Sequence, residues 1–173
     1  MQFSASPPQE ILLPVRPAFI AATLVAALLL NLLPWSGLLF WIKPDFVALV
    51  VLYWCIHQPR KLGFTAAWLL GLMMDVADGS LFGQHALAYS ILAYAGIVLH
   101  RRVQGFTLTA QVLQVIMLLL FNDLIMLAIR MLAGGDFPGF QYFLGSFVAG
   151  LLWPPLSVML KLPQRTRPDP DHV

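Results

Sequence analysis

The sequence predicts an all-α membrane protein with six transmembrane helices and both termini in the cytoplasm. Three observations predict it. Hydrophobic residues make up 60% of the 173 residues and charged residues 10%. A soluble domain carries about a quarter charged residues, so this chain lacks the polar groups to clothe a surface in water. The apolar residues also fall into six runs separated by short polar, Pro- or Gly-containing breaks. Finally, six spans sort the basic residues. Arg16, Arg60, Lys61, Arg101, Arg102, Lys161, Arg165 and Arg167 share one side, and Lys43 and Arg130 the other, a split of eight to two. Segments rich in Lys and Arg stay in the cytoplasm, which puts the first side inside. Five or seven spans would break the pattern.

Residues 1–16 are polar and Pro-rich, and are expected to be disordered or to lie on the surface. The membrane domain covers residues 17–162, and 163–173 form a cytoplasmic tail. Span one runs over about Pro17–Leu33: Pro17 suits a first helical position and Pro34 ends the run. Arg16 followed by apolar Ala18–Leu30 resembles a signal peptide, but no A-x-A-like site follows in Asn31–Gly37, so the segment reads as a retained span. Span two is broken. Leu38–Ile42 is apolar, Lys43-Pro44-Asp45 interrupts, and Phe46–Ile56 continues. Those last eleven residues cover only about 17 Å of a roughly 30 Å hydrocarbon core. Span three, about Leu62–Val76, is also short. Span four covers about Gln84–Leu99 and span five Thr107–Leu132. Span six, about Phe140–Leu162, holds Trp153-Pro154-Pro155, where a kink is expected. Gly145-x-x-x-Ala149 and Gly63…Ala67…Gly71 place small residues four apart, a helix-contact pattern open to intrachain or partner packing.

Composition also excludes functions. The net charge of +2 is too small to imply nucleic acid. A single cysteine, Cys55, cannot form an internal disulfide. The histidines at 57, 85, 100 and 172 form no Cys/His cluster of metal-ligand spacing, and no cofactor is implied.

Chemistry concentrates in Asp75–Tyr89, DVADGSLFGQHALAY. Two Asp, two Gly, a Gln and a His interrupt a nearly continuous apolar sequence, and such groups at membrane depth need partners or a function. Asp78-Gly79 is a turn signal between the end of one helix and the start of the next. The layout places Asn31, Asp75 and Asp123 roughly 20–24 Å from the cytoplasmic ends of their spans. Asp45, Gln84 and His85 start theirs from the outer side, and Arg130 lies further out. Asn31, Asp45, Asp75, Gln84, His85, Asp123 and Arg130 therefore form a candidate polar cluster opening outward. Arg130 breaks the charge rule, which a nearby carboxylate would explain. Helix starts after Pro44 and Gly83 aim their N-terminal dipoles into the same layer. The plainer reading is that these groups only satisfy one another.

Lys43-Pro44-Asp45-Phe46, Val50-Val51-Leu52-Tyr53-Trp54 and Pro59-Arg60 resemble the bacterial rod shape-determining protein MreD family. So do Gly71-Leu72-Met73-Met74-Asp75-Val76 and Gly79-Ser80-Leu81-Phe82-Gly83-Gln84-His85-Ala86-Leu87-Ala88-Tyr89. Order, spacing and length agree over about Pro17–Leu162. The long motif is specific, whereas K-P-D alone is weak. The resemblance implies a non-enzymatic subunit of the cell-elongation complex in the inner membrane. Its implied partners are MreC and, through the complex, MreB, RodA and the elongation-specific penicillin-binding transpeptidase, with membrane lipid around it. It also implies a fold similar to the substrate-binding subunits of energy-coupling-factor transporters. The family offers no established catalytic residues to carry over.

Three functions compete. The first is a scaffold that binds MreC and helps organise lateral peptidoglycan synthesis and cell shape. The second is a small-molecule or lipid binder using the outward polar cavity. The third is an intramembrane hydrolase built on Asp75 and Asp123, comparable in length to aspartyl signal peptidases. Those have four spans and motifs such as N-x-G-A-A-F, absent here, and the extended motif favours the scaffold.

Overall fold

A computed structural model describes residues 15–37 and 42–164. The expected tail before Val15, most of the short outer piece at 38–42, and the tail beyond Gln164 lie outside the described residues. Among those described, the chain is all-helical, with six α-helices and two 3-10 turns. The helices are α1 Pro17–Leu32, α2 Phe46–His57, α3 Phe64–Ala77, α4 Gln84–Gln104, α5 Leu108–Leu132 and α6 Leu144–Lys161. The 3-10 turns Phe140–Phe143 and Leu162–Gln164 flank α6.

Local signals account for most boundaries. Pro17 opens α1, where its missing N–H costs nothing. Asp45 caps α2 by accepting from Ala48 N at 3.0 Å. Gly63 precedes α3, which starts at Phe64 rather than Leu62. Gly83 holds φ 99° just before α4, a backbone state that glycine adopts without strain. The helix α4 runs five residues past Leu99 because His100, Arg101 and Arg102 are compatible with helix while their polar ends reach out. α6 continues through Pro154 and Pro155. Neither proline has an N–H, so the carbonyls one turn back lose their usual donors.

The helix α2 is the centre of the bundle. All ten residues Val47–Ile56 are buried, as a helix apolar on every side requires. α1 and α4 pack against it, α3 packs on α4, and α5 bridges α4 and α6. Aromatic contacts tie the centre together: Trp54 meets Phe19 edge-on at 6.0 Å, and Tyr53 meets Trp153 of α6 at 5.7 Å. Trp153 Nε1 donates to Gln111 Oε1 at 3.0 Å, joining α6 to α5.

Small residues set the closest approaches, and they do so inside the chain. A Cβ on Gly71 would lie 2.4 Å from Ala86 Cα, and one on Gly145 2.5 Å from Lys43 O. Ala67 and Ala149 are buried as well. Gly63 alone of the two expected stripes faces open space. Both stripes are thus largely spent on intrachain packing.

Contacts at the two ends show that the helices alternate in direction. At one end, Asn31 of α1 meets Asp45 before α2, and Asp75 of α3 meets His85 of α4. At the other, Lys61 Nζ donates to Val15 O and Gln104 Nε2 to Ile56 O. The outward faces are apolar: Val25, Leu29, Trp68, Val76, Tyr94, Val98, Met117 and Leu151 are all exposed. α5 and the stretch Phe140–Gln164 are each long and apolar enough to cross a membrane. α1, α2 and α3 are apolar but shorter.

Candidate functional site

Alternation of the helices gathers the ends of α1, α3 and α5 with the starts of α2, α4 and α6. There they enclose a chamber of about 470 Å³. Its wall includes Asn31, Lys43, Asp45, Asp78, His85, Asp123, Arg130, Tyr142 and Ser146. Five of the seven candidate residues, Asn31, Asp45, His85, Asp123 and Arg130, line it. Asp75 sits behind His85. Gln84 is buried but neither lines the chamber nor makes a side-chain hydrogen bond among the described residues.

The first network joins α1, α2 and α4. Asp45 Oδ1 accepts from Asn31 Nδ2 at 3.0 Å while it caps α2. Its Oδ2 accepts from Tyr89 OH at 2.6 Å. Asn31 Oδ1 accepts from Phe46 N at 3.0 Å, and Lys43 Nζ donates to Asn31 O at 2.7 Å. Every atom of the Asp45 carboxylate is therefore committed to holding three helices in register. K-P-D works as a splint: Lys43 closes the end of α1, Pro44 breaks the chain, and Asp45 starts α2.

The second network joins α3 to α4. Asp75 Oδ1 accepts from His85 N at 2.7 Å, His85 Nδ1 at 2.9 Å and Ser80 Oγ at 3.0 Å. Its Oδ2 accepts from Gly83 N at 2.8 Å and, at 3.4 Å, from Ala86 N. The first N–H groups of a helix lack intrahelical acceptors and carry the positive end of its dipole, which suits a carboxylate. The side chains of Gln84 and Arg130 are not among its donors. Ser80, which the sequence reading passed over, is; its place in the Asp78-Gly79 turn was the available signal.

Ser80, His85 and Asp75 share hydrogen bonds but cannot act as a nucleophilic triad. Such a triad needs the serine on the imidazole nitrogen opposite the acid. Here Ser80 Oγ lies 3.2 Å from Nδ1, the nitrogen that also faces Asp75. His85 Nε2 instead points toward Asp78, 3.7 Å from Oδ2. Nor are the two membrane aspartates a dyad sharing one proton. Asp75 is held by α4, whereas Asp123 Oδ2 accepts from Ser146 Oγ of α6 at 2.5 Å. No hydrogen bond links the two carboxylates among the described residues.

Arg130 corrects another expectation. It lines the chamber, yet no described carboxylate lies within 4.0 Å of it. Its stem instead lies under the turn after α5, where a Cβ on Gly135 would come 2.8 Å from Arg130 Cγ. Among the described residues, no group of three His, Cys, Asp or Glu is placed to hold a metal.

The two networks draw on stretches that carried the resemblance, Lys43–Phe46 and Gly71–Tyr89, and a comparison of the whole chain decides its meaning. The family model described as rod shape-determining protein MreD matches residues 15–162. The chain belongs to the MreD family. "Rod shape-determining protein MreD" of Haemophilus influenzae is 31% identical over 137 residues, 79% of this chain and 85% of that relative. No solved structure matches. Membership in MreD gives the chain a role in cell shape and places it among bacterial membrane proteins. It also gives the motif a concrete meaning: in this MreD-family chain, DVADGSLFGQHALAY is the α3–α4 hairpin closed by its own first aspartate.

Proposed function

We propose that the chain is a non-enzymatic inner-membrane subunit of the cell-elongation complex that binds MreC. In this reading it helps organise lateral peptidoglycan synthesis, and it reaches MreB, RodA and the elongation-specific transpeptidase through the complex. The carrying observation is that the family's match runs through the bundle while the motif residues Asp45, Asp75, His85 and Tyr89 are committed to helix-to-helix bonds. Side chains committed in this way hold a shape and are not free to turn over a substrate. Because the small-residue stripes are used internally, MreC has to seat elsewhere, on the exposed apolar faces.

All six helices span the inner membrane in this account, with residues 1–16 and 163–173 as cytoplasmic tails around a 17–162 membrane domain. Arg16, Arg60, Lys61, Arg101, Arg102 and Lys161 all lie at the end opposite the chamber, which supports a cytoplasmic placement of that end. The chamber then opens outward. Short α2, about 18 Å at 1.5 Å per residue, is tolerated because neighbouring helices rather than lipid surround it. A likeness to energy-coupling-factor subunits remains part of the proposal, supported by the six α-helices among the described residues and the chamber at one end of the bundle. The test is affinity purification at native expression. MreC co-purifying with the chain is expected; its consistent absence removes the main support.

A further inference from the structure

The chamber wall holds an acid and a base outside the two networks above: Asp123, with one oxygen bonded to Ser146 and the other without a described donor, and Arg130, without a described carboxylate. Asp123 and Arg130 stand seven residues apart on α5, two turns along one face, with Met126 between them; all three line the chamber. Asp123 is 7% exposed. Its Oδ2 is taken by Ser146, and its Oδ1 has no donor among the described residues. A buried carboxylate is stable as an anion only when it is paired. Arg130 offers a planar fork of N–H donors, with no described carboxylate on it. Asn122, next to Asp123 in sequence but turned about 100° round α5 and outside the chamber wall, is 1% exposed with neither side-chain amide atom partnered, so it takes no part in the site. By contrast, the Asp45 oxygens are filled, and Lys43 is bonded to the end of α1. Along the axis, Asp123 and Arg130 are about 10 Å apart, the reach of a small two-ended molecule rather than of one ion. Next in sequence to the wall residues Pro138 and Gln141, the rings of Phe137 and Phe140 are exposed and meet edge-on at 5.5 Å, an apolar pair that would form a lip beside the chamber.

We propose that the chamber binds a small zwitterion of the aminoalkyl-phosphate class, with its primary ammonium on Asp123 Oδ1 and its phosphate on Arg130. The same chemistry occurs in a free solute and in the headgroup of an ethanolamine lipid, whose chains the Phe137–Phe140 lip would meet. The proposal goes beyond the shape-complex role and does not depend on it.

The full chain, purified in detergent, is titrated with phosphoethanolamine, with phosphocholine, whose quaternary nitrogen has no N–H to give, and with glycerol phosphate, which has no amine. Thermal unfolding reads binding, since a ligand of the folded state raises the melting temperature. In parallel, nanodiscs of phosphatidylglycerol with and without phosphatidylethanolamine are compared by melting and by native mass spectrometry. Phosphoethanolamine or the ethanolamine lipid is expected to stabilise the protein, with the two control solutes at least about tenfold weaker. Asp123→Asn and Arg130→Gln are each expected to weaken binding by about tenfold or more. Asp136→Asn, in the exposed turn outside the wall, is expected to leave it unchanged. A response to the solute alone assigns a soluble ligand, one to the lipid alone assigns a headgroup, and both support the shared chemistry. If Asp123→Asn does not fold, Arg130→Gln and Arg130→Lys carry the comparison. No response to either amine, equal response to the control solutes, or wild-type binding by the chamber variants overturns the proposal.

Discussion

Replacing Asp75 separates architecture from chemistry. Its side chain is fully buried and takes four hydrogen bonds of 3.0 Å or less, from Gly83 N, His85 N, His85 Nδ1 and Ser80 Oγ. Asp75→Leu removes the acceptor altogether. The His85 ring and the Ser80 hydroxyl can turn elsewhere, but the two backbone N–H groups at the start of α4 cannot. At about 1–3 kcal/mol for each stranded donor, the loss is about 2–6 kcal/mol. That is a large fraction of a typical folding stability of about 5–15 kcal/mol. Asp75→Asn keeps one oxygen on His85 but turns an NH₂ toward Gly83 N, costing about 1–3 kcal/mol. The assay is membrane abundance together with thermal unfolding of detergent-purified protein. The expected order is wild type, Asn, then Leu. A Leu variant as abundant and stable as wild type, or an Asn variant worse than Leu, would refute the account of this site.

Three further outcomes follow from the packing and the charge layout. Gly71→Ala drives a methyl against the Ala86 backbone and should destabilise by about 1–3 kcal/mol, while Gly105→Ala, whose new carbon meets nothing closer than 3.5 Å, should stay within about 0.5 kcal/mol in the same unfolding assay. Asp45→Ala removes the α2 cap and leaves Asn31 and Tyr89 without their shared acceptor, so a loss of about 2–4 kcal/mol is expected, with proteolysis at the α1–α2 connection rising accordingly. Alkaline phosphatase fused after Val173 should be inactive and fused at Gly135 active; the reverse would overturn the inward placement of the basic end.

Much of the fold was legible because periodicity was not needed to see it. Apolar runs bounded by Pro17, Pro44 and Gly83 fall within a few residues of the helices, since each bounding residue has a backbone reason to stop or start one. The clustering of Asn31, Asp45, His85, Asp123 and Arg130 around one chamber also follows from depth arithmetic, because alternating helices bring equal depths together. The bonding inside the cluster was legible only in part. The α4 amides on Asp75 follow from a helix start after Gly83, whereas Ser80 as a further donor depends on the φ 59° turn at Gly79, which folds the hairpin back on itself. Arg130 without a described carboxylate, and Asn122 with neither side-chain amide atom partnered, depend on which way α5 rotates by a fraction of a turn. A nearly uniform apolar helix does not encode that rotation in its pattern. The small-residue stripes were ambiguous for a similar reason: spacing marks a close approach but not the partner that makes it.

The central claim is that this chain shapes cells by assembling with partners and performs no chemistry of its own. The most direct measurement replaces it, in cells depleted of their own copy, by the wild type, Asp75→Asn, Asp75→Leu, Asp45→Ala and Gly71→Ala forms. Cell length-to-width ratio is read beside membrane abundance and MreC recovered in a pull-down. The account predicts that rod shape falls in step with abundance and MreC binding across the whole series. A variant that is abundant and MreC-bound while its cells round up would contradict it.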